Sequence, residues 1–297
     1  MRLLPLLFAP LLLCGFADAP SSKALYRMSP QEAGSYIGAV HAAQPDLRKR
    51  IAAIGRQNIG QPYSLNLLGE FPYELHDNLP LYSLEKSDCV VFAEHTYAMA
   101  LSRSWEEFFW TLQRIRYKDG VIGVASRNHY TEVDWNVNNR WLLTEITAQL
   151  AGPAGPHYDL TVDRAAFLKT RHHTVRDIPV QTSREAYIDK ARFSALLPQL
   201  QEGDMVNVVS IVDGRYLVTH VGLIVLGPRG ERRFLNSAEP AVREESFDAF
   251  FARSAEREAR NGRGRKLAGF KVLRLNENVT VPPAAPQPRP GAAPAAP

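Results

Sequence analysis

The chain has 297 residues, 45% hydrophobic, 22% charged and 9% aromatic, which excludes collagen-like, disordered and membrane-embedded classes. Lys and Arg number 35 against 31 Asp and Glu, a formal charge of +4, and no basic block or arginine-rich run argues for nucleic acid as a partner. Two cysteines cannot staple a chain this long, so a disulfide scaffold is excluded as well.

In chain order, the first element is an export signal. Met1-Arg2 supplies a positive start and residues 3–13 an apolar run, too short for the roughly 20 residues a bilayer needs. Small residues favour cleavage after Ala17, because Pro20 disfavours cutting after Ala19. The expected destination is the periplasm, with no transmembrane segment in the mature chain. Cys14 leaves with the signal; a lipid anchor on it is the less favoured alternative, since Leu13 and not a small residue precedes it. Residues 1–17 are therefore read as signal and 18–28 as a lead. Residues 29–276 form one domain, and 277–297 a Pro/Ala-rich disordered tail.

Within the domain, Ser29-Pro30-Gln31-Glu32 is a capping box with Pro at the first helical position, predicting a helix over 30–43. Further helices are predicted from Pro45-Asp46 to about residue 58, from Cys89 to about 102, and over 105–117. The stretch 118–185 is least readable; it suggests loops, a helix near 138–150 and a short strand near His157. Strands follow over 204–211, 216–225, 232–237 and 270–275, with a short helix near 246–254. Helices first and antiparallel strands later describe an α+β domain.

With the signal removed, one thiol remains, in Ser87-Asp88-Cys89-Val90-Val91-Phe92. It falls at the first turn of an apolar helix, where free N–H groups and the helix dipole lower a thiol pKa. That position points to a nucleophile rather than a buried structural cysteine. A thiolate needs an imidazole to carry its proton. His95 lies six residues along the same helix, pointing roughly 120° away, and His172-His173 read as a solvated loop. His220 stands mid-strand in an apolar run beside Gly222, which leaves room for a substrate. Its orienting acceptor is Asn236. If the hairpin centres on Pro228, the two are direct cross-strand neighbours on one face.

Taken together, Gly60-Gln61-Pro62-Tyr63, Ser87-Asp88-Cys89, Thr219-His220-Val221-Gly222 and Leu235-Asn236-Ser237 resemble the NlpC-type papain-like cysteine hydrolases of bacterial cell walls. The stretch 88–94, with Arg127-Asn128-His129-Tyr130 and Asp134-Trp135, is similar to the N-acetylmuramoyl-L-alanine amidase-like branch. The resemblance covers roughly residues 30–276. It implies a papain-like fold with N-terminal helices packed on a C-terminal antiparallel sheet. It also implies that Cys89 attacks an amide carbonyl, His220 serves as general base and acid, and Asn236 orients His220. Many members carry His at this third position, so Asn236 is a departure. Tyr63 would help hold the oxyanion.

The polar and aromatic segment holding Arg127, Asn128, His129, Tyr130, Asp134 and Trp135 reads as a substrate-binding loop. Its charges suit the carboxylates and amines of peptide stems, Trp135 a sugar, and His129 is the rival base. No H-E-x-x-H or paired-Cys pattern supports a metal, no cofactor motif is present, and no G-x-S-x-G elbow marks a serine hydrolase. The expected activity is hydrolysis of the MurNAc–L-Ala amide in peptidoglycan or its fragments. A D-glutamyl–diamino acid endopeptidase and a non-catalytic wall-binding protein of the same fold are the alternatives. Oligomeric state is not readable.

Overall fold

A computed structural model describes residues 23–75, 77–261 and 265–291. The expected signal segment, with Cys14, lies outside the described residues. No helix among the described residues is long and apolar enough to cross a membrane.

The first four helices begin where capping side chains stand. In α1 (Pro30–Ala43) the Ser29 hydroxyl and the Glu32 carboxylate accept from each other's backbone N–H, a complete capping box. Asp46 caps α2 (Leu47–Gln57), Asp88 caps α3 (Cys89–Leu101) and Ser104 caps α4 (Trp105–Arg116). α3 is buried on every side from Val91 to Ala100, so it is the central helix of its layer.

A π-helical turn at Thr131–Trp135 runs into α5 (Asn136–Asn138), followed by β1 (Leu143–Glu145) and α6 (Thr147–Ala151). The single helix expected near 138–150 is therefore broken. Residues 143–145 are recruited as an edge strand against Leu273, Arg274 and Leu275, and Glu145 there meets the buried Lys271 at 3.0 Å. A tertiary partner overrides the local preference. Next come β2 (His157–Val162), α7 (Arg164–His172), β3 (Gln181–Ala186), β4 (Ile188–Asp189) and α8 (Lys190–Leu196). β2 and β3 form a separate two-stranded sheet. His172 ends α7 and His173 is its left-handed cap, where a plain loop was expected.

The main sheet is antiparallel. It is built from β5 (Met205–Val212), β6 (Arg215–Leu226), β7 (Arg232–Ala238), β8 (Ala241–Ser246) and β9 (Lys266–Leu275), with α9 (Phe247–Asn261) before β9. Its order is β1-β9-β5-β6-β7-β8, with β4 also pairing β9. One face carries Met205, Val221, Leu223, Leu235 and Leu273 against α1–α4. The other carries Val206, Ile224, Phe234, Phe270 and Val272 against α6, α8 and α9. Burial on both faces explains why the β6 sequence reads as a continuous apolar run rather than an alternating one. The result is an α+β fold, helices N-terminal and sheet C-terminal, with a second helical layer that the sequence reading lacked.

Residues 277–291 follow β9, and Val279 packs on the first core. Ala285 N–H donates to Asp119 O at 2.9 Å. Gln287 both donates to Gly120 O and accepts from Ile122 N–H. A Pro/Ala segment cannot build a core, but its fixed φ angles make it cheap to lay along one. Residues 292–297 lie outside the described residues.

Candidate active site

The site is built where two central strands part. β6 and β7 pair only from Leu223↔Leu235 to Leu226↔Arg232. This register centres one residue beyond Pro228, so Asn236 stands opposite Gly222 and diagonal to His220, not directly across from it. The expected pairing is thus off by two residues, an even shift that keeps both side chains on one face. The diagonal is bridged because position 222 has no side chain. A Cβ there would lie 2.8 Å from Asn236 Cβ and 2.5 Å from a Phe234 ring carbon.

His220 Nε2 and Asn236 Oδ1 are 3.0 Å apart. The amide orientation is dictated from behind: Asn236 Nδ2 donates to Glu245 Oε1 at 3.0 Å. With its nitrogen so engaged, Asn236 presents oxygen to the imidazole. Nε2 then carries the hydrogen and Nδ1 keeps the lone pair. Glu245 is itself ion-paired with Arg253 of α9. The order His220–Asn236–Glu245–Arg253 thus runs through four elements, β6, β7, β8 and α9, and Phe234 and Phe250 flank the ring. Burial pushes the imidazole down to about 4; the Asn236 bond opposes this, while the charges of Arg265, Arg257 and Arg243 add to it. At neutral pH His220 is an uncharged base. The sequence reading missed Glu245, which sits among charged neighbours in Arg243-Glu244-Glu245. Only its pairing opposite Phe234 turns it inward.

Cys89 opens α3 and is half-buried. Along β6, Ile224 exchanges backbone bonds with the β5 side, so by alternation Val221 N–H points toward the gap left by β7. The Val221 and Val90 N–H groups are near enough to the Cys89 sulfur to favour its thiolate form. The thiol thus lies near the backbone of Val221, the residue that follows His220 on β6. The lowered thiol pKa expected at a helix start is not found. Burial pushes the thiol up to about 12, and the Asp88 carboxylate adds to this. The two backbone donors and Arg265 oppose but do not win. Desolvation of a thiolate outweighs the partial charges of one helix end.

Tyr63 joins the same site. Ser87 N–H donates to Pro62 O and Tyr63 N–H to Pro240 O, tying its segment to the start of α3 and to the β7–β8 turn. Burial, then Cys89 and Asp88, push its hydroxyl up to about 12, so it remains a proton-bearing donor. Tyr63, His220 and Asn236 line one cavity of about 270 Å³, which also takes in Arg253, Arg257 and Arg265.

The other expected binding residues lie elsewhere. Arg127, Asn128, His129 and Asp134 line a second cavity of about 430 Å³, and each makes a side-chain bond within the protein. Arg127 pairs with Glu70 and Asp77, and Asp134 with Arg164. Asn128 donates to Ile115 O at 2.9 Å. His129 shares a bond with Val124 O at 2.7 Å, and burial pushes its ring down to about 3. Tyr130 lies against Phe167 and under Arg164. Trp135 is 2% exposed and donates its indole N–H to Glu94 at 2.9 Å; no sugar can reach its face. The family resemblance and the polar, aromatic make-up of the segment were the signals that grouped these six with the thiol. Among the described residues no cluster of three or more His, Cys, Asp or Glu is arranged to hold a metal.

Comparison with known proteins adds a family and a fold. The model of the N-acetylmuramoyl-L-alanine amidase-like family, AmiA-like, matches residues 53–254. A protein from Legionella pneumophila shares the fold at TM-score 0.67 and 22% identity, over 85% of this chain and 96% of that one. An N-acetylmuramoyl-L-alanine amidase from Bacteroides uniformis does so at TM-score 0.59 and 21% identity, over 78% and 99%. A putative xylanase from Bacteroides fragilis follows at 0.55 and 22%, over 74% and 99%. A search of curated proteins finds no match.

Proposed function

We propose that this chain, which belongs to the N-acetylmuramoyl-L-alanine amidase-like family, is an exported, papain-like cysteine hydrolase of the NlpC type that cuts the MurNAc–L-Ala amide of peptidoglycan or its fragments. The observation that carries the reading is the 3.0 Å His220–Asn236 pair, which engages Nε2 and makes Nδ1 the nitrogen that would serve a thiol at the start of α3. The name of the Bacteroides uniformis relative supports the choice of bond.

In this mechanism His220 Nδ1 takes the Cys89 proton as the sulfur attacks the amide carbonyl carbon. Tyr63 O–H and Cys89 N–H hold the developing oxyanion. The C–N bond breaks as His220 returns the proton to the departing amine, leaving a thioester to the lactyl carbonyl of the sugar. Water, deprotonated by His220, attacks the thioester and restores the thiol with release of the acid. Asn236 keeps the ring in the tautomer this requires, and Glu245 keeps Asn236 in place. Because thiol and imidazole are both uncharged at rest, proton transfer accompanies attack rather than preceding it. Arg127, Asn128, His129 and Asp134 enter this reading as the frame of the second cavity, Tyr130 as packing against Phe167, and Trp135 as core.

The test is digestion of defined muropeptides with products read by mass. Release of intact peptide from the sugar is expected, and Cys89→Ala should abolish it while circular dichroism stays unchanged. Cleavage inside the stem would replace the amidase by a D-glutamyl–diamino acid endopeptidase. Full turnover by Cys89→Ala would end the cysteine mechanism.

A further inference from the structure

The cavity beside His220 carries more positive charge than its neighbours balance. Arg253 is answered by Glu245. Arg257, one turn further along α9, makes no hydrogen bond or ion pair among the described residues and stands exposed at the cavity mouth. Arg265, half-buried at the foot of β9, spends Nη2 on the Thr219 carbonyl at 3.0 Å and Nε on the Ser210 hydroxyl at 3.4 Å. Its Nη1 has no partner among the described residues, and no carboxylate meets its charge. Glu239 is the one acid in the cavity wall.

A guanidinium held half out of water without an anion is costly. Two of them converging on one cavity repel each other, and burial and the Arg257 charge both push the Arg265 guanidinium down. A carboxylate placed between them would relieve both penalties and accept charge-assisted hydrogen bonds. The cavity also has a direction: His220 lines it and Cys89 does not. In the reaction above His220 is the group that hands a proton to the departing amine, so the chain leaving with that amine occupies the His220 side.

We propose that Arg257 and Arg265 form an anion subsite that holds a carboxylate of the leaving peptide, next to the scissile amide. This deepens the amide-hydrolase reading and rests on it for the direction of the bound chain.

The experiment compares one muramoyl peptide with its stem carboxylates free against the same peptide with them amidated. For the unmodified enzyme, kcat/KM should favour the free acid by about tenfold or more, mostly through KM, as expected for loss of a hydrogen bond to a charged group. In Arg257→Gln the preference should shrink to within about twofold, and Arg257→Lys should recover part of it, because the charge returns without the fork. An unchanged preference in Arg257→Gln overturns the subsite even if the amide is cut. If neither peptide is cut, calorimetric binding of the free-acid stem peptide to the Cys89→Ala protein decides separately. Binding weakened about tenfold by Arg257→Gln supports the subsite while the hydrolase reading fails; equal binding overturns the subsite too.

Discussion

At the scale of single residues, burial holds the Cys89 thiol up near 12 and the His220 imidazole down near 4. Each charge alone is disfavoured by burial, so the resting pair is neutral. This has a definite pH signature. In the base role we propose, His220 must be unprotonated, and its proton binds only as pH falls through about 4. We therefore expect kcat/KM to hold level from pH 7 down to about 5 and to fall below that, rather than to fall through the usual histidine value of 6.5. Alkylation of Cys89 by iodoacetamide should keep rising through pH 9. A plateau in alkylation below pH 8 would show a standing thiolate and overturn the neutral pair. His220→Ala should lower kcat by about 10²- to 10⁴-fold.

At the scale of elements, one glycine holds the geometry. Gly222 lets Asn236 and Phe234 lean across β6, and a methyl group there would overlap both. Gly222→Ala is expected to cost about 1–3 kcal/mol by overpacking and to displace Asn236 from His220. A thermal melt should shift down, and kcat should fall more than KM rises. An unchanged kcat would mean that the diagonal contact does not orient the ring. The thiol helix, its Asp88 cap and the His220 strand were legible in the sequence because caps and apolar runs are local signals. The register was not. The hairpin centre moved by one residue and the pairing by two, and only the packing of Phe234 over Gly222 distinguishes these.

At the scale of the whole molecule, buried uncharged histidines shape the response to acid. His95 and His129 are pushed down to about 3 and His220 to about 4, in each case chiefly by burial. Unfolded, these rings bind protons near 6.5, so the unfolded state gains protons first and stability falls as pH drops from about 6.5 toward 3. Glu94 runs the other way. Burial raises it to about 7 from 4.5, so its protonation favours the fold between those values and adds nothing further below them. The three rings outweigh Glu94 and predict a lower Tm at pH 4 than at pH 7; lowered His41 and Asp77 act with the rings, raised Glu70 and Asp88 with Glu94. His129→Gln, which can still donate to Val124 O, should narrow the difference. Equal melting temperatures at the two pH values would contradict it.

The sequence alone determined what depends on neighbours along the chain: four capped helices, the apolar strands, the residue types Cys, His and Asn, and the glycine beside the histidine. Caps and periodicity are set within a few residues, so they can be read without the fold. The tertiary structure decided everything that depends on burial and on partners far apart in the chain. It broke the helix expected near 138–150 to supply an edge strand, and laid the Pro/Ala tail against the domain. It turned Trp135 into core and placed Glu245 behind Asn236. It also reversed the expected shift of the Cys89 thiol, because desolvation is a property of the assembled site and not of the first turn of a helix.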